Sequence, residues 1–371
     1  MERSSQAFTR WFAWVAALLS LACILPHQVW AQDSGLSRLG EIWAGQRSDV
    51  ATAYIRARVA NTGDVRPLSP ERVAAVLTSA RLDENADRMR DVVRAVFANP
   101  PAMDRPWSTI EFWSEGSKTR QDGFTGSRLH GSRVFDGKAD ANFNPANRHI
   151  QLHAAGGSNV FRRGLDSFRF VPDTPSDAKV SPLKGELVAL ERDGLRAEVN
   201  SNTGFVHLWS MKDASGMVAK AIYQGGPVTY PNGLVFPTYV AIGDYGGGTL
   251  RFFMVTVIEK AQFNQPIPSE KFALAAGPGT AVYDRRVSGE RMRYARVREA
   301  TKDVVDYIDS RTNITTVTSE ERTAADRELL GGKPGAGLTS YLFYISLVVG
   351  AVLALGGLIY LLRKRAPGPS S

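Results

Sequence analysis

From residue 32 to about 287 the chain repeats short runs in which apolar and polar positions alternate. Gly, Asn and Asp punctuate these runs at intervals of roughly 8 to 12 residues, the pattern of antiparallel β meanders. Asp136-Gly137 falls between Ser132–Phe135 and Lys138–Phe143 and predicts a hairpin whose tight turn needs a left-handed backbone. Asn202-Thr203-Gly204 separates Leu195–Asn200 from Phe205–Met211, and Leu195, Ala197 and Val199 share one face of the first of these strands. Asn232-Gly233 turns Val228–Tyr230 into Leu234–Tyr239, where Pro237 predicts an edge strand or a bulge. Arg251–Ile258 differs, because Phe252, Met254 and Ile258 line one face while Phe253, Val255 and Val257 line the other. Both faces of that strand need cover.

The period changes near the front. Val73, Val76, Leu77 and Ala80 recur at helical spacing behind Ser69 as N-cap and Pro70 at the first helical position. Met89, Val92, Val93, Val96 and Phe97 repeat that spacing until Pro100-Pro101 stops it. Leu39, Ile42 and Trp43 predict a helix ahead of a strand over Tyr54–Val59. Further on, Arg291–Val297 reads as a last strand and Asp303–Ser310 as a helix. Helices followed by a run of strands predict an α+β fold, with the helices laid on one concave face of an antiparallel sheet.

The two ends carry addresses rather than fold. Arg3 and Arg10 precede the apolar run Trp11–Leu25, and Val29-Trp30-Ala31 supplies a cleavage site, so residues 1–31 read as a secretory signal peptide. The single cysteine, Cys23, lies inside it, and a lipoprotein signal would place Leu where Ser20 stands. Cleavage after Ala31 therefore leaves a mature chain with no disulfide, no thiol catalysis and no Cys-ligated zinc. Tyr341–Leu362 contains no charge and at helical rise would extend about 33 Å, enough for a hydrocarbon core of about 30 Å. Arg363-Lys364-Arg365 follows it, which predicts a cytoplasmic tail over 363–371. The organisation expected is then an extracytoplasmic domain over 32–298, a juxtamembrane helix and flexible stalk over 299–340, and a transmembrane helix over 341–362. The protein would sit in a bacterial-type inner membrane, spanning it once with its domain in the periplasm.

Charge removes one class of function. The formal net charge is +8, and the tail cluster with the signal peptide holds about half of it, which leaves a working domain too mildly basic for nucleic acid. Catalytic and metal patterns are missing as well. His149 and His153 have the spacing of a helical zinc pair, but Arg148–Leu152 reads as a strand, where four residues span about 13 Å and cannot share a metal. No nucleophile elbow occurs, and Gly225-Gly226 and Gly246-Gly247-Gly248 sit in turns between strands instead of before a helix. Glu186 with Glu191 and Asp303 with Asp306 read as solvated faces. No cofactor, metal or catalytic residue is expected.

An aromatic and aliphatic surplus on the strands remains. Trp107, Ile110, Phe112, Phe205, Trp209, Phe252 and Phe253 are the candidate lining of a hydrophobic cleft between sheet and helices, Trp113 belonging to the same surplus. A membrane lipid or acyl chain is the natural partner for such a cleft on a membrane-tethered protein.

Several motifs then point to a family. Phe135-Asp136-Gly137-Lys138 followed by Phe143-Asn144-Pro145, Tyr230-Pro231-Asn232-Gly233 with Phe236-Pro237, and Asn264, Ile267-Pro268 and Phe272 ahead of Pro278-Gly279-Thr280 and Asp284 together resemble the LolA-like family of periplasmic lipoprotein-sorting carriers over residues 36–287. The resemblance implies an incomplete, barrel-like curved sheet lidded by helices, with a cavity for acyl chains. It also implies a single arginine that gates the cavity in some relatives, for which Arg120, Arg133 and Arg148 are equal candidates. The anchor at 341–362 departs from soluble shuttling carriers. The expected function is a noncatalytic, membrane-tethered binder of a lipid or other hydrophobic ligand. The alternative is an extracytoplasmic sensor or scaffold, with an envelope protein as partner and no ligand cavity.

Overall fold

A computed structural model describes residues 35–46, 49–61, 64–99, 108–154, 165, 168–172, 177–286, 292–311 and 314–317. The expected signal peptide, stalk and transmembrane helix lie outside these residues, as does Trp107. Among the described residues no helix is long and apolar enough to cross a membrane. The chain divides into two compact units. The first comprises residues up to Arg286 together with Tyr294–Ile314; the second comprises Val287–Arg293 and Thr315–Ser371. The second is described at 292–293 and in one short strand, and everything below concerns the first.

The helices are α1 (residues 35–46), α2 (Pro70–Ala80), α3 (Met89–Val96) and α4 (Val304–Asp309). The strands begin with β1 (Thr52–Ala60), β2 (Ser108–Glu115), β3 (Lys118–Thr125), β4 (Arg128–Phe135), β5 (Ala139–Asn144) and β6 (His149–Ala154). They continue with β7 (Lys179–Pro182), β8 (Leu187–Arg192), β9 (Leu195–Asn200), β10 (Val206–Lys212), β11 (Val218–Gly225), β12 (Val228–Thr229) and β13 (Val235–Phe236). The last are β14 (Tyr239–Gly246), β15 (Thr249–Phe263), β16 (Ala281–Asp284), β17 (Met292–Arg296) and, in the second unit, β18 (Thr315–Val317).

One open sheet runs in the order β16-β6-β5-β4-β3-β2-β1-β15-β14-β11-β10-β9-β8-β7. Its pairs are antiparallel except β16 with β6, whose parallel register sets Ala281 beside His149. Hairpin chemistry supplies the local connections. At the Asp136 turn, Gly137 takes φ +95° while the Asp136 carboxylate accepts the Lys138 and Ala139 amides, each at 2.7 Å. The strand expected over Leu234–Tyr239 is broken at Pro237. Val235–Phe236 pairs with β12 in a separate two-stranded ribbon, and Tyr239 opens β14 in the main sheet. A proline has no amide for the ladder, so the chain changes partners there.

Helix α2 forms as its sequence dictates, with the Ser69 hydroxyl accepting the Arg72 amide at 3.4 Å and Val73, Leu77 and Ala80 buried. Together with α3, whose Met89, Val92, Val93 and Val96 have no exposed surface, it packs on Ala221, Tyr223, Ala241, Phe253, Val255 and Val257. Each fully buried aliphatic side chain contributes roughly 1.5–3 kcal/mol to holding the two layers together. Helix α4 lies on the same face, burying Val304, Val305 and Ile308 against Val134, Ala141, Ile150, Leu152 and Val282. Arg286 ties it down by bonding both Asp284 and Asp309. The first unit includes α4 and runs on to Ile314.

Helix α1 lies on the opposite face, a departure from helices gathered on one side. Its Leu36, Leu39 and Trp43 meet Leu190, Ala197, Val199 and Val206, because β8–β10 turn their apolar positions that way and present Arg196 and Glu198 on the other. That opposite face is also covered by Phe168, Leu234 and Phe236, which bury Ile55, Ala57 and Phe112.

Strand β15 serves both layers by means of a bulge. Ile258 pairs with Ala57 and Lys260 with Arg56, so Glu259 is the extra residue. One added residue inverts the alternation. Phe253, Val255 and Val257 face the helices, whereas Ala261 and Phe263 join the opposite layer.

Candidate functional site

Where the sheet's helix face is bare between α2–α3 and α4, the segment after β15 folds back over it and leaves an open cleft. The register Gln262–Tyr54–Trp113–Arg120 places these four side chains in one row on that face. Tyr54 and Trp113 form the floor, their ring centroids 5.5 Å apart and tilted by 35°. Pro266, Ile267 and Pro268 form a wall, Gln262, Gln265, Glu111 and Lys271 complete the lining, and the volume is about 310 Å³. Prolines flanking Ile267 hold that wall extended without backbone donors that would need partners in the cleft.

Arg120 fixes the wall to the sheet. Its Nε lies 2.9 and 3.0 Å from the two oxygens of Asp122, and its Nη1 donates to the carbonyls of Lys271 at 3.1 Å and Ala273 at 3.2 Å. Asp122 is buried and also accepts the Ser132 hydroxyl. Of the three arginines implied by the family resemblance, Arg120 alone reaches the cleft's wall through these contacts. Arg133 pairs with Asp140 on the opposite face, and Arg148 occupies a left-handed turn position at φ +55°.

The cleft's charges are arranged unevenly. The Tyr54 hydroxyl donates to Glu111 at 3.4 Å, and burial, followed by the Glu111 carboxylate, pushes its phenol above the usual range. Arg56 lies 3.8 Å from Glu111 and 3.2 Å from Glu259. Lys271 holds its ammonium 4.9 Å over the Trp113 ring, and Lys260 holds its own 5.7 Å over Tyr54. Apolar rings with cations at the rim can receive a small apolar or amphipathic molecule.

The residues singled out from sequence lie elsewhere. Phe112 and Ile110 sit on the opposite face in the layer with Phe168, rings 5.5 Å apart for the two phenylalanines. Trp209 also faces that way, 5.1 Å from Phe170, and Phe205 is buried beside the His207 ring at 4.8 Å. Phe253 fills the interior under Phe97 at 6.0 Å, while Phe252 is 40% exposed on the far face. These six occupy different layers and none lines the cleft: Phe252 stays exposed, so the second face of β15 is not covered there, and the others are packed against helices, the 168–172 segment or neighbouring rings. The missed residues are Tyr54 and the 265–268 wall. The available signal was the aromatic Tyr54 alternating with Arg56 and Arg58, and the Pro-Ile-Pro triplet after a long strand. His149 packs edge-on against Tyr283 and His153 stands opposite Asp140, both as strand residues.

No family model matches the chain, and no curated protein matches it. Solved structures do. One is described as an outer membrane lipoprotein-sorting protein domain from Vibrio parahaemolyticus, at 8% identity and TM-score 0.36, covering 63% of this chain and 95% of its own. Another is a DUF1329 family protein from Desulfovibrio piger, at 8% identity and TM-score 0.37, covering 64% and 96%. A third is a LolA superfamily protein from Nitrosomonas europaea, at 13% identity and TM-score 0.35, covering 65% and 96%. The descriptions of the first and third name lipoprotein sorting and the LolA superfamily, the family that the Phe135–Pro145 and Tyr230–Pro237 motifs resemble.

Proposed function

We propose that this chain is a noncatalytic, membrane-tethered envelope protein whose extracytoplasmic domain binds a lipid acyl chain or similar apolar ligand. The observation that carries this reading is the cleft itself: about 310 Å³ floored by Tyr54 and Trp113, walled by Pro266, Ile267 and Pro268, and left open where the helices stop. Such a volume is at the lower end of ligand sites, which run from about 300 Å³ upward. The space under α2 and α3 is filled by side chains, so the ligand goes to the cleft and not beneath the lid. Tethering rests on the sequence at 1–31 and 341–362, and it sets the domain beside the richest source of acyl chains.

The test is photolabelling of the full chain in phosphatidylcholine nanodiscs with a diazirine-bearing fatty acid. Labelled peptides containing Tyr54, Trp113 or 265–268 are expected, with Ile267→Asp losing most of the signal. Labelling confined to 341–362 would refute the assignment.

A second reading, as a protein-interaction scaffold, has its own observation. Leu195, Met211, Lys220, Asp244 and Phe252 are paired in one row across five strands, and Leu195, Met211 and Phe252 are exposed, with exposed Met217 close by. Adaptable methionines beside an exposed phenylalanine suit an apolar contact. If this face binds an envelope protein, Met211→Ser with Phe252→Ser should abolish in-cell crosslinks that the parent chain forms; unchanged crosslinks would exclude it.

A further inference from the structure

We infer that the Tyr54–Trp113 cleft selects amphiphiles with an anionic head group over neutral or cationic ones. The inference rests on the ligand-binding reading above and adds the charge of the ligand.

The ion pairs around the cleft leave a definite remainder. Glu111, the one carboxylate in the lining, is engaged by the Tyr54 hydroxyl and by Arg56. Glu259 next to it is held by Arg56 and by Arg58. Asp122 is bonded by Arg120 and Ser132. Lys260 and Lys271, in contrast, have no carboxylate within ion-pair distance among the described residues. Each is held by the face of an aromatic ring instead, Lys271 over Trp113 and Lys260 over Tyr54. A ring attracts an ammonium without neutralising it, and the ammonium keeps its hydrogen-bond donors for another acceptor. Both rings are the floor of the cleft, so both uncompensated cations are set at the rim of the same apolar surface. An alkyl chain laid on Tyr54, Trp113 and Ile267 would bring its head to Lys271 beside Trp113 or to Lys260 beside Tyr54. A carboxylate or phosphate there gains a charge-assisted partner in the ammonium it meets, and the field of the other adds to it. A quaternary ammonium meets like charge, and an alcohol gains a neutral contact.

The experiment uses the full chain in phosphatidylcholine nanodiscs and four diazirine probes of one chain length: the fatty acid, a lysophosphatidate, the alcohol and the trimethylammonium. The acid or the lysophosphatidate should label Trp113- or Ile267-containing peptides about tenfold more than the alcohol and more again than the ammonium, as expected for one close charge contact. Whichever anion labels more strongly identifies the head group. The preference should fall to about twofold in Lys260→Gln/Lys271→Gln and shrink as salt is raised. Equal labelling by all four probes, or an undiminished preference in the double variant, overturns the inference while leaving the binding reading intact. Absence of cleft labelling by every probe overturns the binding reading itself. Circular dichroism of the double variant, matched to the parent, separates loss of charge from loss of fold.

Discussion

The side-chain amide of Gln224 hydrogen-bonds both backbone polar groups of Phe170, accepting its N–H at 2.8 Å and donating to its carbonyl at 3.0 Å. The same nitrogen donates to the Val206 carbonyl at 2.8 Å. Gln224 is buried on β11, so one side chain does for residues 168–172 what a neighbouring strand would do, and it sets Phe168 on Phe112 and Phe170 on Trp209. Gln224→Leu keeps the bulk and leaves buried backbone groups without partners. The expected cost is about 2–4 kcal/mol, since each such group forfeits roughly 1–3 kcal/mol. Urea unfolding followed by tryptophan fluorescence measures it; a loss below about 1 kcal/mol would mean that water replaces the amide.

Gly204 is where α1 meets the β9–β10 turn. It holds φ +68°, and a Cβ there would lie 2.8 Å from Ile42 Cγ2 and 2.9 Å from Trp43 Nε1, while Trp43 Nε1 donates to the Gly204 carbonyl at 2.7 Å. Gly204→Ala adds left-handed strain of roughly 1–2 kcal/mol to that contact. It should lower the melting temperature and expose Trp43 to a soluble quencher, whereas the parent's fully buried indole stays protected. Unchanged quenching would show that the turn yields without moving the helix.

Much of this architecture is legible in the sequence, because local rules and tertiary packing agree. Ser69-Pro70 starts α2, the apolar spacing of Met89–Val96 gives α3, and Asp136-Gly137 makes its hairpin. The layer assignments are less legible. A single extra residue at Glu259 reverses the faces of β15, and no local signal marks it. The aromatic surplus was visible, but Phe112, Trp209 and Phe253 are claimed by partners far away in sequence, Phe168, Phe170 and Phe97. The cleft depends on Arg120 bonding carbonyls about 150 residues away, a pairing that periodicity does not encode.

Arg120→Met tests that pairing. It strands the Asp122 carboxylate, whose side chain is 8% exposed, and breaking a buried pair from one side costs about 3–5 kcal/mol. It also frees the carbonyls of Lys271 and Ala273, so trypsin should cut at Lys271 faster than in the parent. The double variant Arg120→Met/Asp122→Leu should regain part of the stability but not the protease resistance. Recovery of both would show that the wall is held by something other than Arg120.

Acid should weaken the fold through its histidines before its carboxylates titrate. His207 has its ring edge-on to Phe205, and burial depresses its pKa below 6.5, with Glu198 opposing the shift. Burial depresses His153 and His130 as well, with Arg285 adding to the effect at His153. A depressed folded-state value means that the unfolded chain takes up protons first as pH falls. The stability these groups supply is therefore complete above about pH 6.5 and is lost as pH falls through the depressed folded values, at up to about 1.4 kcal/mol per pH unit for each group between its two pKa values. Urea midpoints at pH 7.5, 6.5 and 5.5 should decline in that order, and His207→Gln should flatten the lower part of the profile. A midpoint that holds steady or rises from pH 7.5 to 5.5 would mean that these imidazoles are charged in the native protein.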